Sequence, residues 1–366
     1  MNIAFYAPMK PPTSPRPSGD RLIARQLIKA LTMAGFDVNL ASRFRSYDRT
    51  GDLHRQQRLM KLGEKLSARL IRRYRRMSDQ NRPQIWLTYH LYHKAPDLLG
   101  PAVTAALNIP YVVIEASTAE KQRHGPWALG YQCARQAIKS ADRILGLSRV
   151  DRGAILKIID NPEHYLNVPP FIDLNRFSNR FQTGNIHTPP RLLTVAMMRS
   201  GDKLQSYHVL AGALQKITDL DWHIRLVGGG DAEQDVRLAM APHGDRVTFS
   251  GVVAADEMAG IFAASDVLVW PGLKETPGMC FLEAAASGLP AIGADAYGVP
   301  DVIDDGKTGF LCRPGDVDDL AGALRQMLTN PGRLMQMGRC AREEAVKTHS
   351  LEAASRTLDR ILGELR

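Results

Sequence analysis

The chain has 366 residues, 44% of them apolar and 23% charged, with a formal net charge of +9. That length predicts two domains with cores of their own, and the composition excludes a disordered, collagen-like or disulfide-stapled protein. Four scattered cysteines, Cys133, Cys280, Cys312 and Cys340, have neither metal-ligand nor disulfide spacing, which fits a reducing compartment.

From the start, Met1-Asn-Ile-Ala-Phe-Tyr-Ala-Pro8 reads as a strand rather than a signal peptide, and no apolar run is long enough to span a bilayer. A cytoplasmic protein is therefore expected. Residues 3–7 predict a strand, 20–34 an amphipathic helix ended by Gly35, and 37–41 a second strand. Residues 51–79 carry nine Lys/Arg against three acids, with Leu59, Leu62, Leu66, Leu70 and Tyr74 at helical spacing. Such a segment fits two roles: a basic amphipathic helix on an anionic membrane, or a helix whose leucines pack inward beneath solvated arginines. Nucleic acid is not expected, because no recognisable module or aromatic interleaving accompanies the charge.

Further apolar runs at 85–88, 111–114 and 143–147 alternate with helical patterns. The rhythm repeats after a linker-like stretch, Gln182-Thr-Gly-Asn-Ile-His-Thr-Pro-Pro190, with runs at 192–196, 224–227, 247–249, 267–270 and 291–292. Alternating strands and helices predict α/β architecture with parallel sheets. The charge divides at the linker: residues 1–183 hold 29 Lys/Arg against 14 Asp/Glu, and residues 184–366 hold 18 against 24. Two doubly wound, Rossmann-like domains are expected, 1–183 and 184–350. No G-x-G-x-x-G follows the first strand, which argues against a dinucleotide enzyme.

The most informative stretch is Glu275-Thr-Pro-Gly-Met-Cys-Phe-Leu-Glu283. It lies between a predicted strand, 267–270, and a helix closed by Gly288. Free N–H groups at a helix start favour a phosphate, and Gly278 permits close approach of a ligand. Ionised acids on either side accept hydrogen bonds from sugar hydroxyls. Upstream, Arg199 and Lys203 follow a strand end, where a guanidinium fork and an ammonium suit a diphosphate.

This stretch resembles the E-x7-E signature of retaining glycosyltransferases of the GT-B fold, the family 4 type. Asp142–Ser148, Val168–Phe177, Leu226–Gly230 and Val247–Gly251 resemble family segments in the same order. The resemblance implies two Rossmann-like domains facing across a cleft, with a last helix, about 351–366, returning to the first. It implies a sugar moved from a nucleoside diphosphate sugar to a glycan or lipid-linked acceptor with retention, in envelope or exopolysaccharide synthesis. No cofactor or metal is required. Arg199 and Lys203 would neutralise the leaving diphosphate, Glu275 contact the sugar, and Glu283 bind the ribose. The backbone of Gly278, Met279 and Cys280 would hold phosphates, and Val252 and Val253 would meet the base or else form plain core. An epimerase of the same fold and a non-catalytic sugar-nucleotide-binding partner are the alternatives.

On the acceptor side the family's common His is absent; the chain reads Val112-Val-Ile-Glu115 there, so Glu115 is the candidate to accept a hydroxyl hydrogen bond. His90, His93 and His124 are further candidates, and the i, i+3 pair lacks companions for a metal. The loop before the first helix offers one glycine, Gly19, for the phosphates, with Arg16 and Arg21 nearby for an anionic acceptor.

Overall fold

A computed structural model describes residues 1–15, 18–177, 186–276 and 278–365. The chain forms two compact units, Met1–Pro169 with Ala354–Arg366, and Pro170–Ala353.

In unit 1 the elements run β1 Asn2–Tyr6, α1 Gly19–Met33, β2 Asp37–Leu40, α2 Leu53–Arg75, β3 Ile85–Leu91, α3 Gly100–Leu107, β4 Tyr111–Ala116, α4 Ala128–Lys139, β5 Arg143–Gly146, α5 Arg152–Ile155 and β6 Tyr165–Asn167. The strands make one parallel sheet in the order β2-β1-β3-β4-β5-β6. β3 and β4 are apolar nearly throughout because helices cover both faces of such a sheet. α1 starts at Ser18, whose hydroxyl accepts from Arg21 N–H, and buries Ile23, Leu27, Ala30 and Leu31 along one face.

The structure decides the packing of the basic segment. Leu70 and Tyr74 are buried, Leu59 and Leu66 half-buried, and Gly63 meets Leu98 so closely that a Cβ there would clash. The leucine stripe of α2 thus faces the protein, with Leu62 left at 45% exposure. All nine cations from Arg55 to Arg76 are exposed. No helix among the described residues is long and apolar enough to cross a membrane.

Unit 2 runs β7 Arg191–Val195, α6 Asp202–Gln215, β8 His223–Val227, α7 Glu233–Met240, β9 Val247–Phe249, α8 Met258–Ala263, β10 Val267–Trp270, α9 Met279–Ala286, β11 Ala291–Ala294, β12 Gly309–Cys312, α10 Val317–Leu328 and α11 Pro331–Thr348; α12, Leu351–Gly363, follows and lies mostly in unit 1. Its parallel sheet has the order β12-β11-β10-β7-β8-β9. The core joins Leu192, Leu193, Leu268, Val269 and Ile292 from the strands to Tyr207, Leu214, Phe281 and Leu324 from the helices.

The expected linker 182–190 falls partly on residues 178–185, outside the described residues. Two strands escaped the sequence reading. Neither stands out as an apolar run: Tyr165-Leu-Asn167 ends on a polar residue, and Gly309-Phe-Leu-Cys312 opens on glycine.

Candidate functional site

In the second sheet β7 and β10 are neighbours, with β8 continuing on one side and β11 on the other. The winding reverses between them, and in open α/β sheets the crevice at such a reversal, beyond the carboxyl ends of the strands, is where ligands sit. The loops leaving β7 and β10 build this crevice.

The loop after β7 leans on a glycine run. A Cβ on Gly228 (φ +139°) would fall 1.9 Å from the Ala196 carbonyl oxygen, and one on Gly230 would fall 2.1 Å from that of Met198. Without side chains, the exits of β7 and β8 lie against each other, and Met198 N–H donates to the Gly229 carbonyl at 3.1 Å. Arg199 emerges there, exposed. Lys203 follows in the first turn of α6.

Lys203 forms an ion pair with Glu275, from the loop after β10. Trp270, the buried last residue of β10, donates Nε1–H to the same carboxylate at 2.8 Å, and Lys203 Nζ stands 5.2 Å from the centre of its rings. Tyr207 packs edge-on against Trp270 with centroids 4.9 Å apart, and its hydroxyl donates to the Ala196 carbonyl at 3.0 Å. Three more ties fix the loop: Leu273 N–H to Ser206 Oγ at 3.2 Å, Lys274 to Asp202 at 2.8 Å, and Gly298 N–H to the Glu275 carbonyl at 2.9 Å. Burial pulls the Lys203 ammonium below the usual lysine value, with Arg199 adding to the effect. Cys280 opposes that pull.

Gly278 caps α9 in the left-handed conformation (φ +67°), so the first-turn N–H groups of Met279 and Cys280 have no intrahelical partner. Burial pushes the Cys280 thiol up to about 12, so it is no nucleophile at neutral pH. Glu283 is half-buried one turn further on; burial raises its carboxyl to about 7, against the pull of Arg176. No hydrogen bond to that carboxylate is made among the described residues. Pro277, in the expected turn, lies outside them.

One expectation is corrected: Val252 is 83% exposed and so is not core, whereas Val253 packs at the margin of the core. Val252 stands over Gly229, where an added Cβ would lie 3.1 Å from its Cγ2.

Unit 1 carries the remaining candidates. Glu115, at the end of β4, accepts a hydrogen bond from Leu147 N–H, and burial raises its carboxyl to about 7. Gly19 is the exposed first residue of α1, and a Cβ there would meet open space, so no steric demand selects glycine. Nδ1 of His90 is 2.8 Å from Asp20 Oδ1. Nδ1 of His93 is buried without a partner among the described residues, and burial holds that imidazole below its usual value. The two histidines share Tyr92 as a ring neighbour but differ in their polar surroundings. Arg21 donates to the carbonyls of Ser14 and Pro15, His124 is exposed, and Arg16 lies outside the described residues. Sequence reasoning missed Trp270 as the partner of Glu275, Asp20 as the partner of His90, and Arg176 beside Glu283. Trp270 and Asp20 were legible only as a strand end and a helix start.

The crevice in unit 2 lies within a segment of known kinship. Residues 189–330 match the family Glycosyl transferases group 1. Over 185 residues the chain is 33% identical to the sulfoquinovosyl transferase SQD2 of Arabidopsis thaliana, covering 48% of this chain and 35% of that protein. It spans from about a third to just under two thirds of the length of the curated relatives it matches. Among solved structures, sucrose-phosphate synthase of Thermosynechococcus elongatus superposes with a TM-score of 0.73 at 19% identity, covering 100% of this chain and 98% of that one. Anabaena HepE, solved in complex with UDP and glucose, gives 0.69 at 16% identity over 99% of each chain. These likenesses show the GT-B fold.

Proposed function

We propose that the chain is a retaining glycosyltransferase, moving a hexosyl group from a nucleoside diphosphate sugar to a hydroxyl of a glycan or lipid-linked acceptor, in envelope or exopolysaccharide synthesis. The observation that carries this reading is the Lys203–Glu275 pair at the reversal of the second sheet, beside the open N-terminus of α9 and Glu283. Arg199, Lys203 and the first-turn amides of α9 bind the diphosphate. They stabilise the negative charge that grows on it as the anomeric bond breaks, so no metal is needed. Glu275, drawn from its ammonium partner by the arriving phosphate, accepts from the transferred sugar. Glu283 accepts from the ribose hydroxyls. The solved complex of HepE with UDP and glucose makes uracil the first base to try.

Purified protein is to be titrated with UDP-, GDP- and ADP-sugars, and the anomer of the transferred or hydrolysed sugar followed by proton NMR. Retention in the first-formed product supports the reading; inversion overturns the stereochemical part. Binding without hydrolysis or transfer favours a non-catalytic partner, and sugar epimerisation favours an epimerase.

A second reading concerns place. The exposed arginine and lysine face of α2, with its leucines turned inward, fits adsorption to anionic headgroups by charge alone, at about 1 kcal/mol per cation near the surface.

A further inference from the structure

The first sheet also reverses. β1 lies between β2 and β3, so the loops after β1 and β3 flank a second crevice of the kind that holds ligands in open sheets. Asp20 enters it from the second position of α1 and His90 from the end of β3; their side chains keep 31% and 30% exposure. Next to β3, β4 brings Glu115. Tyr89 is in register with Ile114 and Leu91 with Ala116, so His90 and Glu115 stand opposite each other, both left-handed at φ +59°. A non-glycine residue rarely adopts that conformation, and here two neighbours hold it where their side chains meet the crevice.

The chemistry of the pair is specific. Asp20, as a carboxylate, is acceptor-only, so the Nδ1 of His90 bonded to it carries the proton. In the neutral ring Nε2 is then an acceptor. Nε2 has no partner among the described residues. Glu115 and Asp151 lie near enough that protonation of His90 would act on both carboxyls, and in the neutral ring their oxygens are further acceptors beside the dyad. Among the described residues three nearby arginines are engaged with carbonyls: Arg21 with those of Ser14 and Pro15, Arg25 with that of Pro12, and Arg45 with that of Met9. Lys10 acts on Asp20.

We propose that the His90–Asp20 dyad binds a hydroxyl of an uncharged, polyhydroxylated acceptor and discriminates against phosphorylated or carboxylated ones. This rests on the glycosyltransferase reading and supplies its acceptor class. A sugar or polyol hydroxyl donates to Nε2, and a neighbouring hydroxyl donates to Glu115. A phosphomonoester at the same point would meet the acceptor nitrogen of the neutral ring and the Asp20 carboxylate, both of which repel it.

The test uses the full chain and two readouts: binding of UDP, and binding of methyl α-glucoside, methyl α-mannoside and methyl α-galactoside against glucose 6-phosphate, by saturation-transfer NMR and calorimetry with UDP present and absent. At least one neutral glycoside is expected to bind more tightly than glucose 6-phosphate. His90→Phe, which keeps a flat ring, is expected to lose about tenfold in glycoside affinity, the size of one well-placed hydrogen bond, with UDP binding unchanged. In Asp20→Asn the amide donates to Nδ1 and turns Nε2 into a donor. The preference should then shift toward the phosphate, which a merely structural role of Asp20 would not produce. Tighter binding of glucose 6-phosphate to the wild type, no glycoside binding at all, or an unaffected His90→Phe overturns the proposal. Glycoside binding that needs His90 in a protein that binds no nucleotide would uphold it and overturn the donor reading instead.

Discussion

Lys203 and Glu275, 72 positions apart, form an ion pair because β7 and β10 lie side by side where the second sheet reverses. The pair is partly sheltered, at 26% and 15% exposure, and Trp270 fixes its acid from behind. Lys203→Ala should lower kcat by about 10²–10³-fold, the usual loss when one preorganised charge facing a developing anion is removed. Steady-state kinetics with a melting curve is the check; an unchanged kcat would remove Lys203 from the reaction.

Glu283 gives opposite signs for stability and binding. Its carboxyl is raised to about 7 by burial, so the folded chain binds a proton that the unfolded chain has released. The associated stability is full below the unfolded value near 4.3 and is lost as pH rises through about 7. Glu283→Gln should therefore stabilise the unliganded protein at pH 8 by about 1–3 kcal/mol and change little at pH 4. The same variant should weaken nucleotide binding at pH 8. Denaturation at both pH values and calorimetry with UDP provide the comparison, and parallel losses in stability and affinity would count against this assignment.

Glu115 titrates in the same range for the same cause, burial, yet sits in the other unit. The acceptor-dependent kcat/KM should rise by roughly tenfold from pH 6 to pH 8 as its carboxylate ionises, and Glu115→Gln should flatten that rise. Donor affinity should not follow Glu115. If the pH dependence persists in Glu115→Gln and vanishes in Glu283→Gln, the step belongs to the donor side.

Asp97 is a structural acid of another kind. Oδ1 accepts from Leu99 and Gly100 N–H at 2.8 Å each, and Oδ2 from Thr88, Tyr111 and Trp86 at 2.5, 2.9 and 3.3 Å, all buried. Asp97→Ala strands those donors and should cost about 3–5 kcal/mol in urea unfolding. A cost below about 1 kcal/mol would mean that the site relaxes around the loss.

For α2, charge and apolar contributions separate cleanly. Neutralising Lys65, Arg69, Arg72 and Arg76, all exposed, should abolish sedimentation with anionic vesicles, whereas Leu62→Ser should leave it intact. Binding that is equal on neutral vesicles would end the electrostatic account.

The fold class was legible because apolar runs with strand spacing alternated with helical ones, and β10 and α9 around the two acids were read nearly to the residue. The partners were not legible. Lys203 meets Glu275, and Asp20 meets His90, only through sheet order, which no local period encodes. The sequence reading instead grouped His90 with His93 by spacing, although only His90 has a carboxylate partner and Nδ1 of His93 has none among the described residues. Strand β3 ran three residues past its expected end, because Tyr89 and Leu91 are buried in the sheet beyond the apolar run. The leucines of α2 suited lipid and protein equally until a close approach to Leu98 decided between them.

Leu358, Ile361 and Leu362 of α12 are buried, and that helix completes a unit whose other residues end at Pro169. During synthesis the first unit must therefore wait, with the seat for this helix uncovered, until the ribosome has made all of the second. Vectorial folding is interrupted by the order of the chain itself, and a permutant that joins the last helix to the first strand would let each unit close as it emerges.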